Sequence, residues 1–282
     1  MRGDGDGWAF GPDGARHWGV HGAAGLLLRA PGDGAVPLVL LQHRAAWSHE
    51  GGTWSIPGGA RDSHETTEQA AVREAAEESG LPAAAIRVRG ALRTAGDPAH
   101  WTYTTVYADA ARRLDTVANA ESLELAWVPE DQVDHRPLHP GFAAAWPGLR
   151  TRPVHLIVDV ANLLGVRPDG WWRDRRGATE KLLAGLATAA PRTTALPGGG
   201  FGWIDRITAV VEGTAGSAAD PGGSGLTVVR APGIGDDTVA ALAERPGATH
   251  TTAVVTADRG LRARLPSGAA VLGPAAVRDW LD

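Results

Sequence analysis

Between Gly58 and Leu81 the chain reads GGARDSHETTEQAAVREAAEESGL, and three of its glutamates, Glu74, Glu77 and Glu78, fall at i, i+3 and i+4. On a helix that spacing stacks the carboxylates along one face. Like charges so placed repel by roughly a few tenths of a kcal/mol per pair. A hard divalent cation, which prefers oxygen ligands, would reverse the sign of that interaction. The competing interpretation is a solvated acidic face on an ordinary helix. The flanking residues argue for more than that. Gly58 and Gly59 open backbone angles closed to other residues and let the chain turn sharply. Thr66 or Thr67 offers an N-cap, and Ala70, Ala71 and Ala75 form a small face that can lie close to a sheet.

The spacing from Gly59 is five residues to Glu65, seven to Arg73-Glu74-Ala75, one to Glu77-Glu78, and one to Gly80-Leu81. This resembles the full motif of the Nudix hydrolases, with Ala75 where that family usually carries a larger aliphatic residue. The preceding VPLVLLQHRA and WSHEGGTWSIPGG read as a buried strand and the loop that enters the motif. The resemblance implies an α/β/α sandwich around a mixed sheet, and hydrolysis of a nucleoside diphosphate linked to another group. It implies Mg²⁺ or Mn²⁺ held by Glu74, Glu77, Glu78 and the Gly59 carbonyl, with Glu77 and Glu78 in the catalytic set. Glu65 and Arg73 would pair as scaffolding. In that family a base often comes from outside the motif, and NAESLELAWVP supplies Glu121, the preferred candidate, and Glu124. Glu121 as a plain exposed loop carboxylate is the competing interpretation.

A second acidic set lies in the other half. VHLIVDVANLLG reads as a nearly continuous apolar strand, GATEKLLAGLATAA as a helix, ITAVVEG and LTVVRAPG as strands, DDTVAALAER as a helix, TTAVVTADRGLRARL as a strand running into a helix, and AAVLG as a last strand. Alternation of buried strands and helices predicts a doubly wound parallel sheet, whose ligands bind beyond the carboxyl ends of the strands. Asp159, Asp236 with Asp237, and Asp258 fall at three such ends. The pattern resembles the NYN branch of the PIN-like nucleases, which cleave RNA. On that resemblance Asp159, Asp236 and Asp258 would hold a metal, Asp237 could replace Asp236, and Asn162 would position a phosphate. Helix caps are the alternative for the aspartates. In PDGWWRDRR, Trp171, Trp172, Arg173, Arg175 and Arg176 interleave aromatic and basic groups that suit single-stranded RNA, or that pack against a neighbouring helix. GIGDDT begins a dinucleotide fingerprint but has Thr238 where a third glycine is needed.

At 282 residues the chain is sized for two domains, set at 1–152 and 153–282, with RTRPV as the junction. Residues 1–153 hold 14 arginines against 19 carboxylates, and the remainder 13 basic against 13 acidic groups, so charge alone announces no nucleic-acid binding. Lys181 is the lone lysine, which excludes a P-loop, and the absence of cysteine excludes disulfides and thiolate zinc sites. The N-terminal MRGDGDGWAFGPDG reads as a loose segment without an apolar leader, and no long apolar run suggests a membrane span; the expected location is the cytoplasm. GTAGSAADPGGSG reads as a flexible loop. The functional expectation is a Nudix pyrophosphohydrolase acting on a nucleotide, joined to a metal-dependent ribonuclease. The alternative is a Nudix enzyme or sensor whose second domain only binds RNA or mediates dimerisation.

Overall fold

The described part of the N-terminal segment is not loose. In the computed structural model, which describes residues 3–11, 14–166, 171–223, 225–245, 250–278 and 280–281, strands β1 (Trp8–Phe10) and β2 (Arg16–Trp18) pair antiparallel, with Trp8 opposite Trp18. Two three-residue strands in a Gly- and Asp-rich context carry too little periodicity to read from sequence. The chain divides into two compact units, Met1–Arg150 and Thr151–Asp282.

The first unit is built on β3 (Ala23–Ala30), β4 (Leu38–Arg44), β5 (Trp54–Ser55), β6 (Gly58–Ala60), helix α1 (Thr67–Ser79), β7 (Arg87–Asp97), β8 (Trp101–Asp109), β9 (Ser122–Pro129) and α2 (Pro140–Leu149). The sheet is mixed. β3 runs parallel to β8 along one side. Along the other it pairs with β6 through Ala23–Gly25 and with β4 only through Arg29 and Ala30. Alternation along β3 decides the layers: Ala24, Leu26 and Leu28 pack with Val106 and Ala108 against Ala70, Ala71 and Ala75 of α1. The small alanine face therefore brings α1 close to the sheet. The opposite face carries Arg29, fully buried, which donates to Glu130 at 2.7 Å and to the Leu149 carbonyl at 2.6 Å, tying β3 to the end of α2. The PEDQVDH segment is a 3-10 turn, Glu130–His135.

The second unit contains β10 (Thr151–Asp159), α3 (Val160–Gly165), α4 (Arg175–Ala189), β11 (Arg192–Ala195), β12 (Phe201–Val211), β13 (Leu226–Arg230), α5 (Gly235–Ala243), β14 (Thr251–Val255), α6 (Arg259–Arg264), β15 (Ala270–Leu272) and α7 (Pro274–Arg278). β13, β12, β10, β14 and β15 lie in that order and all run parallel. β11 breaks the pattern, pairing antiparallel with the first residues of β12. The strand direction of progress reverses at β10, so the carboxyl ends of β10 and β14 flank the switch point. The apolar run VHLIVDVANLLG is not one strand: it turns at Asp159, whose side chain caps α3. The GTAGSAADPGGSG loop is not without packing either. Gly213–Ser217 forms a 3-10 turn, and Ala215 and Ala218 join the core formed with α4. Among the described residues no helix is long and apolar enough to cross a membrane.

The Arg29–Glu130 pair gives a stability test. Removing one member of a buried pair strands the other charge, so Arg29→Met should cost about 3–5 kcal/mol, with much of it regained in Arg29→Met/Glu130→Leu. Urea titrations of the three proteins measure it, and equal losses in single and double variants would refute the pairing argument.

Candidate functional site

The acidic helix face is assembled by its two ends. Thr66, not Thr67, caps α1: its hydroxyl accepts from Gln69 N while the Gln69 side chain accepts from Thr66 N, and Gly80 closes the other end at φ 66°. Gly58 N donates to Glu78 Oε2 at 2.8 Å. A side chain on Gly59 would collide with the Glu74 carboxylate, and one on Gly58 with the backbone of Ala24 and Gly25. The two glycines thus let β6 approach the carboxylates at van der Waals range.

Arg73 fixes this arrangement. It reaches Glu65 through Nε at 2.7 Å and Nη2 at 3.0 Å, the Ala60 carbonyl at 2.9 Å, and Glu74 Oε1 at 2.8 Å, with Glu77 at 3.4 Å. Glu65 also accepts from Asp62 N at 3.1 Å, and these donors hold its carboxyl below the usual carboxylate range. Arg73 is therefore joined to Glu74 as well as to Glu65.

Glu78 is 4 % exposed. Burial pushes its carboxyl up to about 8, against the Gly58 N–H and with reinforcement from the charges of Glu74 and Glu121. Burial likewise pushes Glu74 up to about 7, opposed by Arg73 and reinforced by Glu77 and Glu121. Glu77 stands exposed at the rim. Buried Glu78 and half-buried Glu74 resist ionisation by themselves, and an all-oxygen donor set of this kind fits a hard divalent cation.

Glu121 is close enough to act on both of these carboxylates. Asn119 holds its loop in place: Nδ2 donates to the Glu77 carbonyl at 3.4 Å and Oδ1 accepts from Glu121 N at 2.9 Å. Glu124 instead lies within β9, opposite His43. Two polar residues escaped the sequence reading. Gln42, 1 % exposed, adjoins Glu78 and donates to Ser122 at 2.9 Å. The Tyr103 hydroxyl lies across Gly25, where a side chain would strike it. A glutamine inside VPLVLLQ was a visible signal for the first.

In the second unit, an open cavity of about 430 Å³ is lined by Asp159, Asn162, Glu212, Asp236 and Asp258 together with small and apolar residues of α3 and the segments beside it. Asp159 accepts from Asn162 N at 3.0 Å and from the Thr256 hydroxyl at 3.2 Å. Asp258 accepts from Leu261 N at 2.8 Å, so both aspartates are helix caps as well as cavity groups. The N-cap of α5 is Ile234, and Glu212 supplies the missing acceptor to Gly235 N at 2.5 Å. Burial, with the charges of Asp236 and Glu212, raises Asp159, and burial with Asp258 and Glu212 raises Asp236. Asp237 does not share the cavity with these groups; it pairs with Arg264 at 2.7 Å. Glu212 was missed, although it ends the VVEG strand as Asp258 ends VVTAD. Asn162 Oδ1 accepts from Ala257 N at 2.7 Å, which ties α3 to the end of β14.

The basic and aromatic segment is partly committed to structure. Arg175 lies 5.4 Å over Trp171 and Arg176 pairs with Glu180 at 3.0 Å, whereas Trp172 and Arg173 are exposed. The Pro-Asp-Gly that opens this segment lies outside the described residues.

Comparison with known proteins agrees with the first unit. Residues 19–147 match the model of the NUDIX domain. A Mycobacterium tuberculosis protein bearing the assigned name 8-oxo-dGTP diphosphatase 3 is 62 % identical over 158 residues, which cover 55 % of this chain and 73 % of that one. A Bifidobacterium longum nucleoside triphosphate pyrophosphatase/Nudix hydrolase fusion protein is 44 % identical over 153 residues, 52 % of this chain and 31 % of that one. The crystal structure of RenU, a Nudix hydrolase from M. smegmatis, is 64 % identical and covers 51 % of this chain and 91 % of that one, at a TM-score of 0.49. The chain therefore belongs to the Nudix family, as a pyrophosphohydrolase whose NUDIX domain lies in residues 19–147.

Proposed function

We propose that the first unit hydrolyses a nucleoside triphosphate with Mg²⁺ or Mn²⁺ held by Glu74, Glu77, Glu78 and the Gly59 carbonyl. The observation that carries this reading is the convergence of two raised carboxylates, buried Glu78 and half-buried Glu74, beside Gly58–Gly59. The bound cation would neutralise the diphosphate and make an attacking water more acidic. The protein's own part is positional. Arg73 aims Glu74, the Gly58 N–H aims Glu78, and Asn119 presents Glu121 to take the proton of the attacking water. The name of the M. tuberculosis relative makes 8-oxo-dGTP the first substrate to try. The compartment that fits such a substrate is the cytoplasm.

For the second unit, with its boundary at Arg150/Thr151, we propose a PIN-like NYN domain that cleaves single-stranded RNA with a divalent metal at Asp159, Asp236 and Asp258, joined by Glu212. What favours this is the meeting of four carboxylates around one cavity at the carboxyl edge of a parallel sheet. Asn162 would position a phosphate, and Trp172 and Arg173 would meet the strand. RNA binding without cleavage, and dimerisation, are the competing readings.

Three measurements test these proposals. Glu78→Gln should stay folded by circular dichroism and lose turnover of 8-oxo-dGTP by about a thousandfold or more, whereas Glu121→Gln should slow turnover and keep Mg²⁺ affinity. Near-normal turnover in folded Glu78→Gln would falsify the site. The second is thermodynamic. Raised carboxyls in the folded state mean that the metal-free protein binds more protons than the unfolded chain, so its melting temperature should fall as pH rises through about 7 and about 8. Saturating Mg²⁺ should stabilise increasingly over the same interval, because binding displaces those protons; a pH-independent Mg²⁺ effect would count against these ligands. Third, full-length Glu78→Gln protein, which isolates the second unit, should cleave single-stranded RNA in Mn²⁺ at low salt, and the added change Asp159→Asn should abolish cleavage. Cleavage that persists in the double variant would remove the aspartate from the mechanism; binding without cleavage in both would select the RNA-binding reading.

A further inference from the structure

The ribbon β1–β2 precedes Gly19, where the NUDIX match begins. Its outer face is aromatic and exposed: Trp8 and Trp18 at 41 % and Phe10 at 64 %. Exposed rings on so short a ribbon would ordinarily cost solubility and invite association. The ribbon is nevertheless fastened rigidly, and to the loop that leads into α1. Gly5 N donates to Asp62 at 2.8 Å, Asp4 accepts from Ser63 N at 2.9 Å, and Gly19 N donates to the Gly7 carbonyl at 2.7 Å.

The rings continue inward along two paths. Trp8 meets Trp18 edge-on at 5.3 Å and His49 at 6.2 Å, and His49 meets His139, the cap of α2, at 6.3 Å. His17 stacks on Trp101 at 4.3 Å, Trp101 lies 6.4 Å from Tyr103, and the indole of Trp101 donates to the Trp18 carbonyl at 3.1 Å. Tyr103 crosses Gly25, Gly25 pairs with Gly58, and the Gly58 N–H holds Glu78. The rings end at Tyr103, which crosses the β3–β6 pairing beside Glu78, and the loop that carries His49 adjoins the site where Ala45 N donates to the Glu121 carbonyl at 2.9 Å. Two cations adjoin the rings, beside the anchoring Asp4 and Asp62 and the nearby Glu50: Arg16 sits 5.2 Å over the Trp8 ring, and Arg44 donates to the His49 carbonyl.

Resting on the hydrolase reading above, we infer that the β1–β2 ribbon is the nucleobase platform of this site, with one of the two perpendicular rings, Trp8 or Trp18, stacking on the purine and the other walling its edge, in a nucleoside triphosphate whose phosphates lie at Glu74 and Glu78. Ring faces suit any base, and the neighbouring cations suit a polyphosphate chain. The ribbon sets affinity for the base and leaves phosphate binding to the carboxylate site.

The test uses full-length protein in Mg²⁺, with dGTP carrying a methylene bridge between the α- and β-phosphorus atoms as the probe and inorganic tripolyphosphate as a base-free competitor. Equilibrium dialysis should show the analogue weakened about tenfold or more by Trp8→Ala and by Trp18→Ala, with most affinity restored in Trp8→Phe. Tripolyphosphate competition should move by less than roughly twofold, since its binding makes no stacking contact. Unchanged analogue affinity in both alanine variants overturns the platform, as does equal weakening of tripolyphosphate, which marks a damaged site, or failure of the wild type to bind the analogue. Sedimentation showing that Trp8→Ala splits a dimer without changing analogue affinity would assign the ribbon to a second copy of the chain. None of these outcomes touches the loss of turnover in Glu78→Gln, which judges the hydrolase reading separately.

Discussion

Two carboxylates placed where water is scarce set the terms for the first unit. Glu74 and Glu78 gain nothing for folding by being there; burial pushes both well above the ordinary carboxylate range. Much of the surrounding structure serves to make that position tolerable. Arg73 spans Glu65, Glu74 and a backbone carbonyl, so one cation is shared between loop and helix. The glycines remove side chains that would otherwise push β6 away, and the alanines of α1 lower the helix onto the sheet until the carboxylates reach the strand. The cost is local and the compensation is spread over three elements.

The two units gather acidic side chains in different ways. In the first, consecutive turns of one helix deliver the acidic groups, and the geometry is contained in a single stretch of sequence. In the second, four separate strand ends deliver Asp159, Glu212, Asp236 and Asp258, and only the strand order β13-β12-β10-β14-β15 brings them together. One arrangement tolerates change in distant loops; the other depends on every crossover.

That difference explains what was legible in the sequence. Glu74, Glu77 and Glu78 could be placed on one face because helical spacing is a local rule, and Asp159, Asp236 and Asp258 could be placed on one edge because parallel sheets bind at strand ends. Glu212 stands at a strand end by that same rule, in ITAVVEG, and was overlooked. The β1–β2 ribbon escaped because three-residue strands have no period, and β11 because an antiparallel strand beside a parallel sheet depends on the neighbour it meets. Asp159 showed the limit most clearly. Its place at a strand end was legible, but the residues after it read as part of the same apolar strand, whereas its side chain caps α3 there.

The double duty of Asp159 and Asp258 has a consequence for how this unit can drift. Each commits one oxygen to a helix N-terminus, and asparagine accepts that hydrogen bond about as well as aspartate does. A single change from acid to amide therefore removes negative charge from the cavity while the helix start remains satisfied. Selection for a stable fold cannot see such a change. The shape of the second unit is consequently a poor guardian of its chemistry, and descendants could keep every strand and helix after the charge has gone.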